Sequence, residues 1–209
     1  MNLSTTTIII IVNIVVSLFA LNNKQAYNKM MMNPYAVKHN NEYFRFITSG
    51  FIHADFRHLG FNMFTLFFFG DVVERQFNYS SNGNGMLLFV LFYVAAIVIS
   101  EIPTYLKHKD NPRYNSLGAS GGVSAVVFAS IMYSPMTDLC LYGLICIPGF
   151  ILAVLYLVYS ATMGKKGSGN INHDAHLYGA LFGVLFTVIL DPSVVARFIE
   201  QVSNYSLFQ

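Results

Sequence analysis

Six apolar segments separated by polar connections limit what this 209-residue chain can fold into. A spanning helix takes roughly 17–25 mostly apolar residues. The segments fall at about residues 5–21, 57–73, 86–100, 116–134, 147–163 and 174–190. In lipid only helices and closed barrels satisfy their own backbone, and no segment alternates with the period of two that a barrel strand needs. The expected fold class is therefore all-α: a polytopic membrane protein, one domain over residues 1–209, folded as a compact bundle of six transmembrane helices. Composition agrees, since charged residues make up only 11% of the chain, against about 25% in soluble domains. The net charge of +2 gives no basis for a nucleic-acid partner. The lipid bilayer is the implied surrounding.

The start, "MNLSTTTIIIIVNIVVSLFALNN", has no basic leader and no small-residue cleavage site, so it reads as a span rather than a signal peptide. The connection over residues 22–56 mixes polar, apolar and aromatic residues, which predicts a partly folded, interfacial loop. The connection "GKKGSGNIN" at 164–172 is Gly-rich and predicts a mobile lid. Cys140 and Cys146 lie in apolar sequence, match no metal or redox spacing, and read as packing residues. All ten acidic residues fall in connections or near span ends.

Polar side chains at membrane depth are costly and tend to be functional. Three clusters stand out. In "GASGG" (118–122), Gly118 and Gly122 form a small-xxx-small pair suited to close helix packing. The same stretch places Ser120 at a helix start, where free N–H groups and the positive helix end can stabilise an oxyanion. In "HDAHLYGALFG" (173–183), His176, Gly179 and Gly183 share one helical face. The glycines imply a closely packed neighbour, so His176 points into the bundle. It is either an interhelical hydrogen-bonding group or a general base. His173 falls in the preceding loop and carries no role, and Asp174 reads as a helix cap. In "HADFRHLGFN" (53–62), His58 and Asn62 are i, i+4 neighbours and read as interhelical glue or as oxyanion donors. His53 would bind water or cap the loop. Each cluster is ambiguous alone. Together they supply nucleophile, base and oxyanion donors, as a Ser–His dyad without an acidic third member.

At these residues the chain resembles the rhomboid intramembrane serine proteases, over about residues 42–190. The family's GxSG on the fourth span corresponds to Gly118-Ala119-Ser120-Gly121, its HxxGxxxG on the sixth to His176, Gly179 and Gly183, and its HxxxN on the second to His58 and Asn62. The resemblance implies Ser120 as nucleophile, His176 as base, and His58, Asn62 and the Ser120 N–H as oxyanion donors. It implies structural support from Glu74, Arg45, Gly118, Gly121, Gly179 and Gly183. The reaction implied is peptide-bond cleavage in or near the transmembrane helix of another membrane protein, with no cofactor and no metal. Two departures matter. Phe44-Arg45 stands where the family often has Trp-Arg. Ser124 stands where many members place a tyrosine that packs on the catalytic histidine, which leaves Tyr178 and Phe128 as replacements to consider.

Rival readings are a non-cleaving rhomboid-like protein that binds membrane clients, a transporter lined by the polar residues, and a metalloprotease using His53, His58 and His176. The last lacks HExxH. Orientation is contested within the sequence itself. Ten Lys and Arg fall on the Ser120 side and two, Arg75 and Arg197, on the other. The positive-inside rule puts the Ser120 side in the cytoplasm, whereas the family opens its site to the outside, and the family orientation is taken here as the expectation. The expected location is a bacterial inner membrane.

Overall fold

The computed structural model describes residues 3–81, 83–141, 145–166 and 171–205. Among these residues the chain forms ten α-helices, a 3₁₀ turn and a two-stranded hairpin. α1 (Thr5–Asn22) leads into three short helices, α2 (Lys24–Met30), α3 (Pro34–Asn40) and α4 (Arg45–Thr48), and the turn Ser49–Phe51. Long helices α5 (Phe56–Ser80) and α6 (Gly85–His108) precede α7 (Ser120–Tyr133). The hairpin β1 (Asp138–Leu141) and β2 (Ile145–Pro148) then leads to α8 (Gly149–Lys166), α9 (His173–Leu190) and α10 (Ser193–Ser203).

α1, α6 and α9 are long and apolar enough to cross a membrane, with mean hydropathies of 2.1, 2.4 and 1.4. Their outer faces, and those of α5 and α8, expose Phe61, Phe64, Leu155, Val158, Leu185 and Ile189. Apolar surface of this extent has no place in water, so the chain is an integral membrane protein. α7 differs: it packs against α5, α6 and α9 together. Ten of its fourteen residues are buried, as expected of a helix that is apolar all round. At 1.5 Å per residue it is about 21 Å long, shorter than the ~30 Å hydrocarbon core. Ser120 is its first residue.

α1 is held at its start by the neighbouring helix α5. Glu74 on α5 accepts the N–H groups of Thr5 (2.8 Å) and Thr6 (2.9 Å) and the Thr6 hydroxyl (2.9 Å). The carboxylate thus satisfies two of the four orphan donors at that helix start. Hydrogen bonds to a charged group contribute about 1.5–3 kcal/mol each in favourable cases. Glu74→Ala is expected to lower unfolding stability by about 2–3 kcal/mol, read as a lower midpoint in a detergent denaturation series.

The structure departs from the sequence-based expectations in several places. The fourth helix begins at Ser120, not residue 116, because Gly118 breaks it with φ +122°. The second and third extend to Ser80 and His108. Glu101 consequently lies inside α6 and is buried, not at a span end. It accepts from Ser116 Oγ (3.2 Å) and faces Asn172 Nδ2 (3.4 Å). Residues 147 and 148, assigned to a helix from sequence, belong to the hairpin. Cys140 and Cys146 are not packing residues: they stand opposite each other in that hairpin and form a disulfide. The α9 cap is Asn172, whose side chain accepts from Ala175 N–H, while Asp174 pairs with Lys107 at 3.0 Å. His173 is a buried residue of α9 rather than a loop residue. Of the lid expected at 164–172, residues 164–166 are helical and 167–170 lie outside the described residues.

Candidate active site

Ser120 heads α7 because the segment before it is pinned from several sides. Met32 and Ser116 exchange backbone hydrogen bonds of 2.9 and 3.0 Å. Gly118 N–H donates to Ser49 carbonyl at 2.9 Å. Arg45 stands behind this clamp. Its guanidinium donates to the Asn28 and Met31 carbonyls (3.1 and 2.6 Å) and to Glu42 (2.6 Å), fixing the chain that delivers Met32. Gly118 meets two demands that only glycine satisfies. Its φ lies in the left-handed region, and a Cβ there would sit 2.6 Å from His58 Cε1.

Among the described residues no side chain caps the first turn of α7. The N–H groups of Ser120, Gly121 and Gly122 therefore stand at the positive helix end without intrahelical partners. Ser120 itself is half-buried.

α9 runs beside α7 in the same sense at backbone contact. A Cβ on Gly179 would strike the Gly121 carbonyl, and one on Gly183 would lie 2.8 Å from Ala125 Cα. The small-residue contact is thus Gly121 and Ala125 against Gly179 and Gly183. Gly118, outside the helix, takes no part in it, and Gly122 faces Tyr93 and Ile97. Gly121 is further confined on its other side by Ser100, whose Oγ occupies the place a Cβ would need. His176 lies one turn above Gly179, half-buried, at the same end of the bundle as Ser120. The hydrogen bonds around the two residues do not include one joining them.

α5 contributes the third cluster. Asp55 caps it by accepting the His58 N–H at 2.8 Å, and that bond holds the Asp55 carboxyl below its ordinary range. Asn62 is buried and donates one amide hydrogen to the His58 carbonyl at 3.0 Å, and its second amide hydrogen has no partner among the described residues. The His58 ring lies against Gly118 and edge-on to His53, with centroids 5.0 Å apart.

His53 was undervalued from sequence. It neither faces water nor simply caps a loop: it is fully buried. Its Nδ1 lies 2.8 Å from Ser17 Oγ, and Ala119 N–H points at its Nε2 from 3.5 Å. Burial pushes the ring down to about 3, so it is neutral. With Nε2 accepting, Nδ1 carries the proton and donates to Ser17, whose hydroxyl donates on to the Phe51 carbonyl at 2.9 Å. His53 thereby ties α1 to the residue before Ser120.

Tyr156 on α8 gave no signal at all in its apolar run. Its ring lies 20° from parallel to His176, with centroids 6.2 Å apart, and its hydroxyl meets Ser124 Oγ at 2.7 Å. Of the two aromatics considered from sequence for that place, Phe128 packs on Tyr156 and Tyr178 is 43% exposed. Among the described residues no cluster of His, Cys, Asp and Glu has the form of a metal site.

A helical bundle with an apolar exterior and an interior lined by serine, histidine and asparagine defines a polytopic membrane protein of the all-α class. Residues 40–193 match the Rhomboid domain family, and the chain belongs to it. It is 32% identical over 144 residues to RHOMBOID-like protein 12, mitochondrial, of Arabidopsis thaliana, covering 64% of this chain and 42% of that protein. It is 31% identical over 146 residues to the presenilin-associated rhomboid-like protein, mitochondrial, of Homo sapiens, covering 67% and 36% respectively. It is 26% identical over 161 residues to rhomboid protease GlpG of Haemophilus influenzae, covering 77% and 76%. The chain spans less than half the length of the two organellar relatives.

Proposed function

We propose that this chain is an intramembrane serine endopeptidase that cleaves transmembrane segments of other membrane proteins with a Ser120–His176 dyad. Six helices, α1 and α5 to α9, would form its spans within a single domain. The observation that carries the reading is the backbone contact of Gly121 with Gly179, which sets Ser120 and His176 at one end of two touching helices. In the reaction, neutral His176 takes the Ser120 proton as Oγ attacks the scissile carbonyl carbon. The oxyanion accepts from the Ser120 N–H, the Asn62 amide and His58. Protonated His176 then donates to the departing amine, leaving an acyl-serine that water hydrolyses by the reverse route.

The test is reconstitution with a single-span reporter in liposomes, with products mapped by mass spectrometry. A wild-type cut within or beside the span is expected. A reporter that co-purifies intact would instead indicate a client-binding protein without protease activity.

The proposed membrane is a bacterial inner membrane, since GlpG of Haemophilus influenzae and this chain cover each other most evenly among the relatives named. Within it, two features of this chain argue against the family's orientation. The Lys and Arg bias favours a cytoplasmic Ser120 face. The disulfide hairpin follows the other end of α7, and disulfides persist on the oxidising side. A reporter active only in the periplasm, fused at the C-terminus, is therefore expected to be active. Silence from that fusion, with a cytoplasmic reporter active, would restore the family orientation.

A further inference from the structure

His176 needs an orienting partner that the bundle does not supply by hydrogen bonding. Among the described residues its ring accepts or donates no hydrogen bond, and α9 carries no acidic residue on its face. A base that turns freely about its side-chain bonds aims at the serine only part of the time, and proton transfer depends on that aim.

Two aromatic contacts confine the ring. His173 meets it edge-on from α9 itself, with centroids 6.0 Å apart. Tyr156 lies alongside it from α8, near-parallel and offset with centroids 6.2 Å apart, within the 4.5–7 Å range of productive ring pairs. Tyr156 is itself fixed at both ends. Its hydroxyl is hydrogen-bonded to buried Ser124, and its ring packs on Phe128. Ser124 and Phe128 lie one and two turns beyond Ser120 on the same face of α7. The helix that carries the nucleophile thus holds the side chain that faces the base.

Resting on the protease reading above, we propose that Tyr156 is the positioning residue for His176 and that Ser124 sets Tyr156 in place. This gives position 124 a use. A hydroxyl there leaves room for a ring from α8 and anchors it, so alignment of the dyad depends on α8 being docked.

The test measures kcat, KM and the rate of carbethoxylation of His176 by diethyl pyrocarbonate, with peptide mapping to separate it from the other five histidines. For Tyr156→Ala, kcat is expected to fall about 10- to 100-fold with KM within twofold, and His176 to be modified several-fold faster. Tyr156→Phe and Ser124→Ala each remove the same hydrogen bond. Each is expected to lower kcat about threefold, and the pair together no further than either alone. Adding Ser124→Tyr to Tyr156→Ala returns a ring to the vacated space and is expected to recover most of kcat and to slow modification again.

An unchanged modification rate in folded Tyr156→Ala would overturn the proposal, as would kcat within twofold of wild type. If wild type cleaves nothing while Tyr156→Ala still speeds modification, the protease reading fails and the positioning contact stands.

Discussion

Ser120→Ala is expected to reduce cleavage of a reconstituted substrate by at least about a thousandfold, and His176→Ala to do the same. On the proposed mechanism the two residues act as a unit. Without the imidazole the serine hydroxyl keeps its proton, and without the hydroxyl the base has nothing to activate. The double variant should therefore be no worse than either single one. On the same mechanism His58→Ala and Asn62→Ala remove oxyanion donors and are expected to cost about a hundredfold each. Substrate that still co-purifies with folded Ser120→Ala would show that binding and chemistry are separable. Cleavage by Ser120→Ala at the wild-type rate would assign the nucleophile elsewhere.

Gly179→Val and Gly183→Val are expected to destabilise the bundle most among single changes outside the dyad. The added atoms would meet backbone of α7, not the flexible end of a side chain, so the helices must separate. Overpacking a filled core costs about 1–3 kcal/mol, and a forced backbone shift lies at or above the upper end. Loss of activity should track loss of the folded fraction in a thermal denaturation series. Gly60→Ala is the matched control: it also lies inside a helix, but a Cβ there meets nothing within 4 Å. It should be neutral or stabilising by about 0.5–1 kcal/mol. Equal behaviour of Gly60→Ala and Gly179→Val would show that α7 and α9 do not meet as described.

What could be read from the sequence was local. The apolar runs marked α1, α6 and α9 because length and hydropathy suffice to define such helices. Gly179 and Gly183 signalled close approach, but not the residues they meet. Gly118 and Gly122 have the spacing of a packing pair, yet only geometry shows that Gly118 has a positive φ and that Gly121 and Ala125 make the contact. The long first connection looked partly folded, but nothing in its residues disclosed that Met32, Ser49 and His53 would converge on the segment before Ser120. These are contacts between residues 66 to 84 positions apart, and pattern along a chain carries no trace of them. Tyr156 is the sharpest case. An aromatic in an apolar helix reads as lipid-facing or core until a neighbouring helix shows Ser124 opposite its hydroxyl. Cys140 and Cys146 were misread for a different reason: the connection between the fourth and fifth apparent spans is itself apolar, and nothing in its residues marked a hairpin.

The most direct measurement is labelling of purified protein by a fluorophosphonate probe, comparing wild type with Ser120→Ala and His176→Ala. It requires no knowledge of the natural substrate. One labelled site, Ser120, is expected in wild type, with loss of labelling in both variants although both remain folded. Labelling that persists in Ser120→Ala, or a folded wild type that does not react at all, would contradict it.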